Sequence, residues 1–197
     1  MQYYGTGDSY LIDCILAESE LENVQHAESL FEELNNEIHF RVLLHRGSEL
    51  PRLVCLQGLV AEEDEITTIP VYRHPLDVTP PLIGFTPLVN KIRLLLEEQL
   101  VQRGVTTSFN HCLIQQYRSG SDYIKEHCDK TLDISHDSLI VNYTVGASRT
   151  MLLRRKKIQT QPEEGGGEEE RAAGCGSDRD AQRIKLSHNS LFVLGPG

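Results

Sequence analysis

LIQQYRSGSDYIKEHCDKTLDI, from Leu113 to Ile134, is the stretch on which the interpretation of this chain depends. Its centre carries His127 and Asp129, two residues apart. In an extended segment, side chains at positions i and i+2 leave the same face, so an imidazole and a carboxylate converge on one point. These are two of the three ligands of the facial site that suits non-haem Fe(II). The pair alone is a weak signal, because short motifs often match by chance.

The length and charge of the chain set broad bounds on its class. A chain of 197 residues is long enough for one good-sized domain. Its formal net charge of −10 does not favour a protein that coats nucleic acid electrostatically. However, seven acids and two arginines between Glu163 and Asp180 supply −5 of that charge. The remainder is only mildly acidic, which leaves room for a local basic groove.

Cysteine usage and hydropathy indicate the compartment. The five cysteines are odd in number and form no CxxC pair, which is typical of free thiols in a reducing environment. The sequence has neither an apolar run near the roughly 18 residues of a membrane span nor a secretory start. We therefore expect an intracellular, soluble protein without membrane contact.

The first hundred residues show two helical patterns. Ser19 begins a capping-box spacing ahead of an apolar stripe, which predicts a helix that ends near Asn35. Thr86 and Pro87 have the pattern of an N-cap and a first helical residue, and Gly104 is the predicted stop. Residues 1–9 are expected to be loose, and the prolines between Pro70 and Pro87 predict a long irregular connection.

The second half of the chain changes to the two-residue period of strands from Phe109 onward. The predicted strands are Tyr10–Leu16, Ile38–Leu44, Leu53–Leu56, Phe109–Arg118, Leu139–Val145, Thr150–Leu153, Ile184–Leu186 and Leu191–Leu194. Helices followed by many short strands predict an α+β protein with an antiparallel barrel or sandwich. The acidic, glycine-rich run at 156–182 is predicted to be a disordered loop between two strands.

The order of these features resembles the AlkB-like Fe(II)/2-oxoglutarate dioxygenases. The similar blocks are RGSELPRLVCLQG (46–58), PVYRHP (70–75), FNHCLIQQYRSGSDYIKEHCDK (109–130), VNYTVGASRTMLLR (141–154) and LSHNSLFVLGPG (186–197). With their spacers they cover nearly the whole chain, and the central block is the most specific. The resemblance implies one domain over 1–197 with a double-stranded β-helix (jelly-roll) core, N-terminal helices and a substrate-binding lid.

The resemblance also implies roles for particular residues. His127 and Asp129 would be metal ligands, and Tyr117 would reach 2-oxoglutarate. Gln115 would share the 2-oxoglutarate site, with glutamine where the family has asparagine. The lid that grips an extruded base would include three further residues, assigned more loosely. These are Arg52, Tyr72 and Arg73.

The implied chemistry is oxidative dealkylation with Fe(II), 2-oxoglutarate and O₂. Oxygen hydroxylates an alkyl group on a base nitrogen while 2-oxoglutarate becomes succinate and CO₂, and the product collapses to formaldehyde and a repaired base. The expected partner is alkylated DNA or RNA, because a flipped or single-stranded base is needed for such chemistry. The expected location is the nucleus, the cytoplasm or both.

The final segment departs from the family pattern. The family's distal histidine ligand and its 2-oxoglutarate arginines are expected beyond Gly197, together with terminal strands. His188 precedes the last predicted strand and resembles a polar turn residue of the family, so we do not expect it to bind metal. If the natural chain ends here, exposed strand edges predict oligomers.

Two alternatives to a nucleic-acid dealkylase stay open. One is a catalytically inactive remnant that serves as a binding module of the same fold. The other is an AlkB-like dioxygenase acting on a protein or a lipid.

Overall fold

The structure, a computed structural model, describes residues 1–17, 27–63, 66–73, 76–78, 80–129, 132–136, 138–154 and 181–195. These residues form two helices and twelve strands, and nearly all strand pairs are antiparallel. The α+β class predicted from the sequence is confirmed. The helices are α1 (Ala27–Glu37) and α2 (Pro87–Val101). The strands are β1 (Gln2–Tyr4), β2 (Ser9–Ile12), β3 (Arg41–His45), β4 (Ser48–Gly58), β5 (Ala61–Glu63), β6 (Ile66–Thr68), β7 (Ile83–Gly84), β8 (His111–Gln116), β9 (Ile140–Thr144), β10 (Arg149–Leu153), β11 (Gln182–Leu186) and β12 (Ser190–Leu194).

The chain divides into two compact units. The first unit joins Met1–Ile15 to Leu139–Gly197. Its main sheet has the order β1-β2-β12-β9, and β10 pairs with β11 in a separate antiparallel ladder. Its core contains Leu11, Ile184 and Phe192, of which Ile184 is fully buried. Burial of such side chains is the main source of stability for a sheet with one apolar face.

The second unit, Leu16–Ser138, is organised around β4. This eleven-residue strand pairs antiparallel with β3 and β8 and parallel with β7. Its last five residues, Val54 to Gly58, are all buried. A continuous buried run of this kind is typical of a strand covered on both faces, and it includes one polar side chain, that of Gln57.

A tight turn connects β3 to β4. Arg46 and Gly47 form the two-residue loop and have φ angles of 52° and 71°. Two positive φ values are the signature of a type I′ hairpin, whose twist matches that of the strands. The backbone N–H groups of both residues donate to the carboxylate of Asp77. These hydrogen bonds lower the pKa of Asp77, because they favour its charged form.

Helix α2 begins at Pro87 as predicted, but its N-terminus is capped differently. The Thr86 backbone is extended, yet its side chain makes no capping hydrogen bond. The carboxylate of Glu37, the last residue of α1, instead accepts from the N–H groups of Leu88 and Val89 at 3.0–3.4 Å. A neighbouring helix therefore satisfies donors that every α-helix N-terminus leaves without an internal partner.

Several local predictions differ from the structure. Residues 2–4 form β1 instead of a loose end, because they pair with β2 in the register Gln2↔Leu11. The proline-rich connection contains β7, and two further short strands, β5 and β6, lie just before it. The expected start of α1 at Ser19 and most of the acidic loop lie outside the described residues, and β11 begins at Gln182, the last residue of that predicted loop.

Within the described part of the chain, neither helix is long and apolar enough to cross a membrane.

The Glu37 cap can be tested by mutation. We expect Glu37→Ala to lower the free energy of unfolding by about 1–2 kcal/mol, since capping hydrogen bonds to a charged acceptor are worth that much. Urea unfolding followed by circular dichroism measures the effect. Glu32→Ala, an exposed acid on the same helix, is the matched control. An unchanged midpoint for Glu37→Ala would contradict the capping role.

Candidate metal and 2-oxoglutarate site

The pairing of β4 with β8 places Arg52 beside Gln115. The register Val54↔Gln115 and Leu53↔Gln116 brings this end of β8 next to Arg52 on β4. The Arg52 Nε donates to Gln115 Oε1, and both side chains are half-buried. Burial lowers the pKa of the Arg52 guanidinium, while the phenol of Tyr117, the residue after β8, opposes this shift. One polar cluster, which we name the Tyr117 cluster, therefore contains Arg52, Gln115 and Tyr117.

The segment from Arg118 to Asp129, which we name the ligand loop, follows Tyr117 directly. Arg118 donates to the Asp122 carboxylate through its backbone N–H, its Nε and its Nη2 at 2.8–3.0 Å. The carboxylate of Asp122 is largely buried, with a side-chain exposure of 10%, whereas that of Arg118 is 50%. These contacts close a compact turn at the start of the loop.

Tyr123 connects the ligand loop to β4. Its N–H donates to the carbonyl of Pro51 at 3.0 Å, and its own carbonyl accepts from Arg52 Nη1 at 3.4 Å. The loop is thus attached to the strand that also positions Gln115. Backbone groups that would otherwise lose their water partners are satisfied by this attachment.

His127 and Asp129 lie in the loop and not on a strand. The sequence-based expectation of a strand-borne pair is therefore wrong in its secondary structure, because β8 ends at Gln116 and no ladder pairs these residues. Their side chains nevertheless converge, with 3.5 Å between His127 Nε2 and Asp129 Oδ1. Cys128 between them is exposed.

The His127 imidazole has a defined orientation. Its Nδ1 lies 2.8 Å from the carbonyl oxygen of Lys125, which only accepts, so Nδ1 is the protonated nitrogen. This leaves Nε2 directed at Asp129. Hydrogen bonding to Asp129 raises the pKa of His127, and burial acts in the opposite direction. A backbone carbonyl on the remote nitrogen is the usual partner that orients a metal-binding histidine.

The donor pair fits Fe(II) in chemistry and in spacing. Imidazole and carboxylate are two of the ligand types in facial Fe(II) sites. The two donor atoms lie 3.5 Å apart, close enough for both to bind one ion through ligand bonds of about 2.1 Å. Among the described residues, no third histidine, cysteine or acid completes a metal-binding group with them.

The lid residues have partners of their own. The Tyr72 ring lies 5.8 Å from the His111 ring, centroid to centroid. Arg73 donates through its backbone N–H and its guanidinium to Asp133, whose side chain is 8% exposed. The pKa of Arg73 is raised by this hydrogen bonding. The guanidinium of Arg73 is thus engaged in an ion pair, although 65% of the side chain remains accessible.

Sequence reasoning missed Asp122, Tyr123 and Lys125. The four-residue spacing of Arg118 and Asp122 was the available signal, but i,i+4 charge pairs are common on protein surfaces. Nothing in the sequence indicates that Asp122 is buried or that Tyr123 joins β4. The backbone roles of Tyr123 and Lys125 do not depend on their side chains.

His188 lies in the first unit and has a structural contact. Its Nδ1 accepts from the N–H of Gly146 at 3.1 Å, in the turn before β12. Burial lowers the pKa of His188. This turn position agrees with its interpretation as a polar turn residue.

Comparison with known proteins places the chain in a family. A family model described as the 2OG-Fe(II) oxygenase superfamily matches residues 13–197. The chain belongs to this superfamily, which confirms the AlkB-like resemblance. The description of this superfamily names Fe(II) and 2-oxoglutarate, the metal and cosubstrate that the resemblance implies.

The chain also matches the DNA oxidative demethylase ALKBH2 of Mus musculus. The two are 28% identical over 89 residues, which are 45% of this chain and 32% of the relative. The match thus spans about a third of the length of that relative.

The contact of His188 predicts a pH dependence of stability. Because the folded pKa lies below the ordinary value, the unfolded state binds more protons at acidic pH. The contribution of His188 is fully present above pH of about 6.5 and is lost as the pH falls toward the folded pKa. We expect His188→Asn, whose amide oxygen can still accept from Gly146, to flatten the dependence of unfolding free energy on pH between about 7 and 5. Urea titrations across that range measure it; identical slopes for both proteins would contradict the prediction.

Proposed function

We propose that this chain is a dioxygenase that binds Fe(II) through His127 and Asp129 and removes alkyl groups from bases in nucleic acid. The observation that carries the proposal is the 3.5 Å convergence of His127 Nε2 and Asp129 Oδ1, with Nδ1 already donating to a backbone carbonyl. Membership of the Fe(II) oxygenase superfamily supports the choice of metal.

Tyr117 and Gln115 are the proposed 2-oxoglutarate contacts. The phenol of Tyr117 and the amide N–H groups of Gln115 can donate to carboxylate oxygens. Gln115 Oε1 accepts from Arg52. This hydrogen bond orients the amide, so its nitrogen points away from Arg52 and can donate to another group. The Arg52 cation also favours an anionic cosubstrate at this cluster.

The protein's own part in the reaction is to bind and to orient. Fe(II) with 2-oxoglutarate and O₂ supplies the oxidising chemistry when bound. His127 and Asp129 bind the metal, and the ligand loop keeps them beside the Tyr117 cluster. Tyr72, whose ring lies beside that of His111, is the proposed stacking contact of an extruded base. Arg73, which pairs with Asp133 while 65% of its side chain remains accessible, is the proposed polar contact.

The substrate class rests on the relative. The named activity of ALKBH2, DNA oxidative demethylation, supports alkylated DNA or RNA as the substrate of this chain. A location in the nucleus or cytoplasm suits that substrate and the four free cysteines of the described residues. The family match across both compact units supports one dioxygenase domain over 1–197, with the acidic segment 156–182 as a loop within it.

A binding module of the same fold is the second candidate. It is favoured by one observation: the described residues supply two metal donors and not three. Two ligands would bind Fe(II) more weakly than a complete facial site. Metal titration separates this candidate from the enzyme.

Anaerobic titration with Fe(II) tests the metal site. We expect saturable binding of Fe(II) and a visible charge-transfer band on addition of 2-oxoglutarate. We expect His127→Ala to lose more than about tenfold in Fe(II) affinity, because even mutation of residues that only hydrogen-bond to a metal ligand has an effect of that size. His39→Ala, an exposed histidine of the same unit, should bind like wild type. Equal affinities for wild type and His127→Ala would exclude this site, and absence of saturable binding would favour the binding module.

Turnover on short oligonucleotides tests the substrate class. We expect N-methylated single-stranded DNA or RNA to yield formaldehyde and to stimulate succinate release, because no unpairing energy is needed. The unmethylated oligonucleotide and the Asp129→Ala variant are the controls. Succinate release that is the same with both oligonucleotides would argue for a protein or lipid substrate instead.

A further inference from the structure

Asp122 has an environment that the proposed roles do not explain. It is one of the few charged or polar residues that are buried, with 7% of its surface exposed. Burial of a carboxylate is costly unless charge-assisted hydrogen bonds compensate for lost water. Here three donors of Arg118 supply that compensation, and all come from a residue four positions earlier.

The turn that Arg118 and Asp122 close lies between Tyr117 and Tyr123. Arg118 directly follows Tyr117, the proposed 2-oxoglutarate contact, and Asp122 directly precedes Tyr123. The N–H of Asp122 also donates to the carbonyl of Ser119, so the turn is closed by backbone as well as by side chains. The chain therefore leaves β8 and returns to β4 over only a few residues.

The return to β4 occurs at one residue. Tyr123 donates to Pro51 and accepts from Arg52, and the same Arg52 donates to Gln115. The chain that connects the Tyr117 cluster to His127 and Asp129 thus contains the Asp122 turn and the contacts of Tyr123 with β4. Further along the loop, His127 Nδ1 donates to the carbonyl of Lys125.

We propose that Asp122 is a positioning residue that closes the turn before Tyr123 and thereby places His127 and Asp129 relative to Tyr117 and Gln115. This inference rests on the proposed function for the identity of the site. In this role Asp122 acts through Arg118 and the backbone of the turn. Its removal leaves Arg118 half-exposed and able to pair with water, so the consequence is a loosened loop and not a stranded buried cation.

Hydrogen exchange tests the attachment without any metal. In Asp122→Asn, we expect the amides of 123–129 to exchange about tenfold faster or more, because local opening becomes easier, while exchange in α2 is unchanged. Arg118→Gln should act in the same way, which guards against a folding defect peculiar to one variant. Unchanged exchange in both variants would overturn the inference, whatever the metal result.

Metal affinity tests the consequence for the site. We expect Asp122→Asn to weaken anaerobic Fe(II) binding by about 10–100-fold, the range for residues that orient metal ligands. The matched control is Glu97→Gln, since Arg93 and Glu97 form the same i,i+4 type of ion pair, with exposures of 13% and 16%. Glu97→Gln should lower the melting temperature without changing Fe(II) affinity, measured well below melting.

The outcomes separate the two proposals. Faster exchange with unchanged Fe(II) affinity overturns the positioning role and leaves the proposed function intact. Equal loss of affinity in Glu97→Gln also overturns it, because general destabilisation would then explain both variants. Absence of Fe(II) binding in wild type overturns the proposed function, and the positioning role with it.

Discussion

The six-residue ladder between β4 and β8 is the constraint on which the candidate site depends. The ladder runs from Leu53↔Gln116 to Gly58↔His111 and fixes the register of the two strands at both ends. A slip of one residue would move each side chain to the opposite face, so Gln115 would no longer meet Arg52. At the far end, a Cβ at Gly58 would lie 2.8 Å from Pro70 and 2.9 Å from the carbonyl of Asn110. Position 58 therefore requires glycine, because Pro70 and the backbone of Asn110 approach the strand there.

Local signals predicted part of this structure well. The Thr86–Pro87 start of α2 depends on backbone preferences that act over a few residues. The helix ends at Val101, and the predicted stop, Gly104, lies in the turn that follows with a positive φ of 83° that favours glycine. The strands from β8 to β12 were predicted from the two-residue period. By contrast, β1 forms because β2 is available as a partner, and Glu37 caps α2 from another helix. Such long-range partners leave no local pattern in the sequence.

The prediction for His127 and Asp129 was likewise right in one respect and wrong in another. The i,i+2 spacing predicted that His127 and Asp129 converge, and their side chains do approach. It predicted the wrong backbone, because extended geometry alone does not make a strand without a neighbouring ladder. The contacts that we propose to orient these residues lie at Asp122, Tyr123 and Lys125, and two of them are made by backbone atoms. Backbone contacts are independent of side-chain identity, so the sequence carries little sign of them.

The Glu37 cap has a consequence for the order of folding. The carboxylate and the amides it accepts from are 51 and 52 residues apart in the chain. Closing a loop of that size has an entropic cost that is met before the contact contributes anything. Helix α2 can nucleate through its own turns, but its first turn is completed only when α1 has docked. The two helices are therefore expected to consolidate together, late and cooperatively, and not as independent local events.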